Sequence, residues 1–373
     1  MSTAARHPLN SRQANFRRAL TNISLGAGPI GLSLFLLAFQ YKIHEVAVDF
    51  HAAYYPAALR LLDGGNPYAA SQHQVSSGMA FVYPALSAIG FAPFALPGRS
   101  IGQILFVLVC LACVPAALRA LNVRDWRVYG VVLYWLPIYS GWQTANLTLP
   151  LMLLVALAWR HRDKPLVAGL ITAVAISLKP FVWPLALWLL ATRRWKAAAW
   201  ALASGIVLNL AAWTVVGFNE LSTFVHLSSS DTNALWKGGY GMLAVAHHLG
   251  ASRQLGELLL VLVSALAAAA VIALGLRRDE RGALTSTILL MLLASPLLWA
   301  HYFALLLVPL ALLRPRLAPV WALPILMWPI PPRQPVYGWE EVLAWAVTAT
   351  VLLLSLRGRA STAAPREPSA VPA

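Results

Sequence analysis

The sequence predicts an all-α polytopic membrane protein, and three observations carry that class. Of 373 residues, 59% are hydrophobic and only 11% are charged, less than half the charged share of about 25% that soluble domains carry. The apolar residues come in runs approaching the roughly 20 residues that a helix needs to cross a bilayer. The 28 lysines and arginines gather in short clusters between those runs, as they do in loops held on the cytoplasmic side. A net charge of +15 on a soluble chain would suggest nucleic acid. Groove-reading and RNP-type patterns are absent, so no nucleic-acid partner is expected.

The basic clusters set the direction of each run. Arg6, Arg12, Arg17 and Arg18 place residues 1–23 in the cytoplasm. The run 24–41 crosses outward as an uncleaved anchor, because LAFQYKIHE offers no small-residue cleavage site. Residues 42–82 form a first extracytoplasmic loop. The run 81–98 is broken by Pro84, Pro93 and Pro97 and reads as re-entrant or surface-lying. Residues 101–121 return to Arg119, Arg124 and Arg127; Cys110 and Cys113 in this run read as small core hydrophobes. Residues 127–140 lead out, and 146–159 return to the basic stretch Arg160–Lys164. Residues 165–191 are interrupted at Lys179-Pro180 and flanked by basic clusters at both ends. They read as two short helices with the Lys-Pro turn outside. Residues 197–216 lead to a second large extracytoplasmic loop, 217–254, polar over 217–240. The runs 255–276, 283–297, 302–313, 317–331 and 341–356 then alternate across the membrane. The expectation is one transmembrane domain over 24–357 with about 12 helices, followed by a disordered cytoplasmic tail, 358–373, rich in Ala, Pro and Ser.

One stretch stands apart from the membrane pattern: VDFHAAYYPAALRLLDGGNPY, Val48–Tyr68. Phe50, Tyr54, Ala57, Ala58, Leu61 and Leu62 recur at helical spacing. Asp63-Gly64-Gly65-Asn66-Pro67 then stops the helix. The stretch reads as a surface-lying helix with Asp49 at its entrance. On the predicted topology, Asp49, Tyr83, Gln143, Asn146, Lys179, the 217–240 loop, His301 and Tyr302 all reach the extracytoplasmic side. Polar groups within membrane segments are expensive and usually mark a site, so their convergence predicts a single extracytoplasmic cavity.

Each candidate has two readings at this stage. Asp49 is either an interfacial acid paired with Lys42 or Arg60, or a general base whose proton affinity is raised by partial desolvation. Lys179 either snorkels or serves as the cation for a phosphate head group. His301 and Tyr302 either pack or touch phosphate or sugar. Gln143 and Asn146 either cap the following helix or bind sugar hydroxyls. Asn219, Asp231, Asn233, Trp236 and Lys237 belong to a solvated loop or to a sugar subsite. His247 and His248 lack a third ligand at helical spacing, so no metal is expected. No P-loop, GxSxG, HExxH or Rossmann fingerprint occurs, so no cofactor is expected either.

In motif order the chain resembles the GT-C superfamily of polyprenyl-phosphate-sugar-dependent glycosyltransferases. Within it, the chain is similar to glycosyltransferase family 87, the bacterial polyprenyl-phosphate-mannose α-1,2-mannosyltransferase-like proteins. The Val48–Tyr68 block carries the resemblance together with FVYPALSAIGFAPFALP, GWQTANLTLPLMLLVALA, KPLVAGLITAVAISLKPFVWPLALWLLATRRW and SPLLWAHYFALLLVPLALL. These cover roughly residues 24–315. The resemblance implies a GT-C-like bundle in a bacterial inner (plasma) membrane with its active site on the extracytoplasmic face. It implies Asp49 as catalytic base, and Lys179 and His301 as the family's lysine and histidine. The implied partners are a polyprenyl-phosphate-linked sugar donor, a glycan or glycolipid acceptor and the lipid bilayer. The implied reaction is an inverting hexosyl transfer, mannose being the first expectation. Competing readings are an arabinofuranosyltransferase using polyprenyl-phosphate-arabinose, a transporter or flippase of lipid-linked sugars, and an inactive assembly subunit. Inverted repeats and midplane charges would favour a transporter; neither is visible.

Overall fold

Prolines and short caps cut the apolar runs into helices that meet at two polar ends. The computed structural model describes residues 11–330 and 336–357 and is all-helical, with no strand among the described residues. Among the described residues, five helices are long and apolar enough to cross a membrane: Gln13–Lys42, Arg99–Ala120, Trp195–Val216, Arg253–Leu276 and Gly338–Arg357. Leu136–Gln143 and Thr148–Arg160 form a sixth apolar unit bent by 119°. Shorter apolar helices lie at Ala85–Ala95, Pro165–Leu178, Pro180–Ala191 and Ala300–Leu313. A many-helix architecture suited to a membrane is therefore clear, with five spans, or six if the bent pair is one, against an expected count of about 12; the remaining apolar helices are shorter than a bilayer's thickness.

The first helix begins earlier than the hydropathy suggests, at Ser11 rather than residue 24, and passes through a π-turn at Ile23–Ala27. Arg6, expected in the cytoplasmic N-terminus, lies outside the described residues, as does the tail 358–373. The run 81–98 contributes the helix Ala85–Ala95, whose Ala85, Ser87, Ala88, Phe91 and Ala95 are buried. The 217–240 stretch, expected as a polar loop, holds the 16-residue helix Glu220–Leu235. Its serines and threonines disguise an apolar stripe, and Phe224 packs on Tyr68 and Trp213 at 5.6 and 5.8 Å.

Glycine permits close helix contacts at two places. A Cβ on Gly130 would stand 1.7 Å from the Leu25 carbonyl oxygen, and one on Gly102 would stand 1.8 Å from that of Phe94. Backbones can approach this closely only where no side chain intervenes. Fully buried Trp135, Trp142, Trp188 and Trp321 fill the space between the helices. The Trp135 indole N–H donates to the Trp321 carbonyl at 2.9 Å.

At one end the charged loops bind one another. Glu280 accepts from Arg162 at 3.0 Å and from Arg194 at 2.7 Å, and Arg194 also reaches Asp163 at 3.1 Å. Asp125 caps Trp126–Leu133 by accepting from the Arg127 backbone N–H, and it also accepts from the Leu317 N–H at 2.9 Å. The helices Thr148–Arg160 and Pro165–Leu178 run between this end and a second polar cluster, which contains Asn146 and Lys179.

Candidate functional site

The second cluster is assembled by three breaks in helical structure. The first is the turn before Phe50, where His44 and Ala47 take positive φ of 59° and 58°. The second is the turn between Gln143 and Thr148, where Ala145 takes φ of 52°. Left-handed backbone at non-glycine residues is uncommon and costs energy that surrounding structure must offset. The two turns hold each other: the Ala47 N–H donates to the Gln143 carbonyl at 2.6 Å, and the Asp49 N–H donates to that of Thr144 at 3.0 Å. The Gln143 side-chain amide donates to the Glu45 carbonyl. Gln143 thus fastens the Asp49 segment to the bundle through backbone. The third break is Lys179-Pro180. The preceding helix ends at Leu178, whose carbonyl accepts from the Ser87 hydroxyl at 2.6 Å, and Lys179 adopts extended φ of −153°.

Asn146 is the hub. Its side-chain amide N–H donates to the Asp49 carboxylate and to the Tyr54 hydroxyl at 3.2 Å. Its carbonyl oxygen accepts from the Thr148 backbone N–H at 3.0 Å, the Thr148 hydroxyl at 2.8 Å and the Lys179 ammonium at 3.4 Å. The Tyr54 hydroxyl donates to that of Tyr83 at 2.9 Å. Lys179 lies over the rings of Tyr302, Tyr83 and Phe181 at 4.4, 5.1 and 5.6 Å. Aromatic faces attract a desolvated cation, so a lysine that makes no carboxylate ion pair within 4 Å among the described residues is held by an amide oxygen and three rings. His301 stacks beside Tyr302 at 5.0 Å, and its Nε2 is enclosed without a hydrogen-bond partner among the described residues.

Asn146, Lys179, His301 and Tyr302 are buried, whereas Asp49 and Tyr83 keep partial exposure. The residues expected to line an open cavity are thus packed together, with Asp49 and Tyr83 at the accessible edge. Burial pushes the Asp49 carboxyl above the usual carboxylate range, opposed by the Asn146 hydrogen bond and the charge of Lys179. Neither Lys42 nor Arg60 makes an ion pair with Asp49 among the described residues.

Six sequence candidates therefore meet: Asp49, Tyr83, Asn146, Lys179, His301 and Tyr302. Gln143 supports them from behind. Asn233, Trp236 and Lys237 form a different group. Asn233 accepts from Arg253 at 2.7 Å, while Trp236 stacks by Arg253, Lys237 and His247 at 5.8, 5.6 and 5.3 Å. Tyr54 and Phe181 belong to the site without having been singled out. Tyr54 showed itself only as one apolar position of a helical repeat. Among the described residues no group of three or more His, Cys, Asp or Glu is placed to hold a metal ion.

An all-helical apolar chain with a carboxylate, an amide and a caged lysine linked at its helix ends fits the class of membrane glycosyltransferases, and two sequence similarities bear that class out. The chain belongs to glycosyltransferase family 87, whose profile matches residues 81–296. It is 24% identical over 345 residues to a polyprenol-phosphate-mannose-dependent alpha-(1-2)-phosphatidylinositol pentamannoside mannosyltransferase of Mycolicibacterium smegmatis, covering 85% of this chain and 78% of the relative. No solved structure matches the chain. Tyr83, Asn146 and Lys179 fall within the matched family region; Asp49 and His301 lie on either side of it.

Proposed function

We propose that the protein moves a hexosyl unit, mannosyl first among them, from a polyprenyl-phosphate donor to a hydroxyl of a glycan or glycolipid acceptor. The donor class follows from the mannosyltransferase relative. The observation that carries the mechanism is the chain Asp49–Asn146–Lys179. It holds an acceptor for a proton and a cation for a phosphate on the two sides of one amide.

In this mechanism Asp49, at the accessible edge, takes the proton of the acceptor hydroxyl. The oxygen attacks the anomeric carbon, and the bond from that carbon to the phosphate oxygen breaks. Lipid phosphate departs with the electron pair and gains negative charge. Lys179 offsets that charge where water is excluded and electrostatics are strong. His301, whose ring lies beside Tyr302 and whose Nε2 has no hydrogen-bond partner among the described residues, contacts the phosphate or the sugar. A single displacement inverts the anomeric centre. Alternation of the apolar runs between the basic loops would place this cluster on the extracytoplasmic face of a bacterial inner membrane, opposite those loops.

The test incubates purified protein in nanodiscs with labelled polyprenyl-phosphate-mannose and, separately, polyprenyl-phosphate-arabinose, each with a lipid-glycan acceptor extract. The expected result is consumption of the mannosyl donor with release of one polyprenyl phosphate per sugar transferred. Consumption of the arabinosyl donor alone would reassign the sugar. Failure of both, with sugar-lipid crossing the bilayer intact in vesicles, would replace the enzyme by a transporter.

A further inference from the structure

The helix Glu220–Leu235 turns Leu227, Asp231 and Leu235 inward. They are spaced i, i+4, i+8 and so share one face. Two leucines in such a stripe are ordinary, but a carboxylate between them is not. Asp231 is 6% exposed, and its Oδ1 is enclosed without a hydrogen-bond partner among the described residues. No described lysine, arginine or histidine pairs with it. Burying an unpaired carboxylate is costly, and a polar atom left unsatisfied in this way calls for a ligand or another explanation.

Its position narrows the ligand. The charge of Asp231 acts on Tyr83 and on Tyr302, the two rings that stand nearest the Lys179 ammonium. Its helix is also fastened to that region by contact: Phe224 packs on Tyr68 at 5.6 Å, and the Tyr68 hydroxyl donates to the Tyr83 carbonyl at 3.0 Å. It is a poor partner for phosphate, because like charges repel. Metal is disfavoured too, since no metal-holding group of carboxylate, His or Cys residues forms around it among the described residues. A neutral group rich in O–H donors meets the requirement. An ionised carboxylate is acceptor-only, and its two oxygens can take a pair of adjacent hydroxyls. Burial pushes the Asp231 carboxyl up to about 6, which leaves it mainly ionised at neutral pH.

We propose that Asp231 is a specificity-determining residue that receives hydroxyl groups of the donor sugar while Lys179 holds the adjoining phosphate. This rests on the lipid-phosphate-sugar donor proposed above. It adds a sugar-reading carboxylate from a helix that carries no other part of the Asp49 cluster.

The experiment measures equilibrium binding of two probes, polyprenyl phosphate and polyprenyl-phosphate-mannose, to the full chain in nanodiscs. Wild type is compared with Asp231→Leu, which completes the apolar stripe and should fold at least as well, and with the near-isosteric Asp231→Asn. Wild type is expected to prefer the mannose-bearing probe by about 10- to 100-fold, the range of charge-assisted hydrogen bonds. Asp231→Leu is expected to bind both probes alike, with affinity for bare polyprenyl phosphate unchanged. Asp231→Asn, which keeps one acceptor oxygen, should fall between and covers the case in which the leucine variant does not fold. A stable variant that retains the full preference overturns the role of Asp231 and leaves the donor reading intact. So does an equal loss of affinity for both probes, which marks a structural residue. A wild-type protein that binds both probes equally refutes sugar reading, and one that binds neither refutes the donor assignment and this proposal with it.

Discussion

Lys179 offers a prediction in which stability and activity part company. Lys179→Met replaces the side chain by one of similar length without charge. In the folded protein the lysine gives up one hydrogen bond to Asn146 at 3.4 Å and three ring contacts at 4.4–5.6 Å. Each desolvated cation–ring contact contributes about 0.5–2 kcal/mol. Against these stands the penalty of burying an ammonium, which is several kcal/mol and which no carboxylate within ion-pair distance offsets among the described residues. Methionine keeps favourable contact with the same rings through its sulfur. The terms nearly cancel, so the thermal midpoint should stay within a few degrees of wild type or rise. Catalysis has no such compensation. Loss of one preorganised group that stabilises developing charge costs about 2.7–4 kcal/mol, or roughly 10²- to 10³-fold in kcat. The assay pairs thermal unfolding in nanodiscs with single-turnover transfer from polyprenyl-phosphate-mannose. A variant that unfolds far below wild type while its folded fraction transfers at the normal rate would show that the lysine is structural and refute the reasoning.

Three further expectations follow from individual contacts. Asn146→Ala removes a hydrogen bond that holds the Asp49 carboxyl down; because a general base works deprotonated, the acid limb of the pH–rate profile should move to higher pH, and an unmoved limb would detach Asp49 from proton transfer. Asp125→Ala should cost about 1–3 kcal/mol in stability through loss of its cap and its tie to Leu317, with transfer activity retained. Arg127 beside it holds the Asp125 carboxyl down at about 2, so this contribution is present above the ordinary carboxylate range, near 4, and is lost as pH falls toward 2; equal wild-type and variant stability at pH 7 would contradict it. Gly130→Ala forces a methyl against the Leu25 carbonyl and should shift the first helix, lowering the thermal midpoint by several degrees; an unchanged midpoint would mean that the contact yields freely.

The site was legible wherever a polar residue interrupts an apolar run. Asp49, Asn146, Lys179 and His301 each announce themselves that way, because a buried polar group needs a reason to be there. What pattern could not supply was which partner each would choose. Asn146 reads as a cap from sequence; in the fold its side chain joins Asp49 to Lys179. Gln143, three residues earlier, reads alike but turns to the backbone of Glu45. Tyr54 is hidden because an aromatic residue at helical spacing looks like core. Asp231 is visible in the sequence as one polar residue of a loop, but its burial is not, because it sits among serines and threonines whose local hydrogen bonding suits loops as well as helices; the stripe shows only once Phe224, Leu227 and Leu235 are seen on one face. The helical, membrane-suited class follows from composition, the length of the apolar runs and the basic clusters between them. The break at Lys179-Pro180 is legible too: residues 165–191 read as two short helices and fold as Pro165–Leu178 and Pro180–Ala191. The split of the run 127–140 into Trp126–Leu133 and Leu136–Gln143 is not, although Pro137 sits in the first turn of the second piece, where proline fits. Hydropathy sees those pieces only as continuous apolar stretches.

The proposal that one carboxylate performs the proton transfer comes down to Asp49→Asn, followed in single-turnover transfer with donor binding measured on the same preparation. The amide can still accept from Asn146, and the backbone bond to Thr144 is untouched, so fold and donor affinity should be preserved. Transfer should fall by about 10²- to 10⁴-fold, the contribution of a positioned base. Transfer within tenfold of wild type would contradict the assignment.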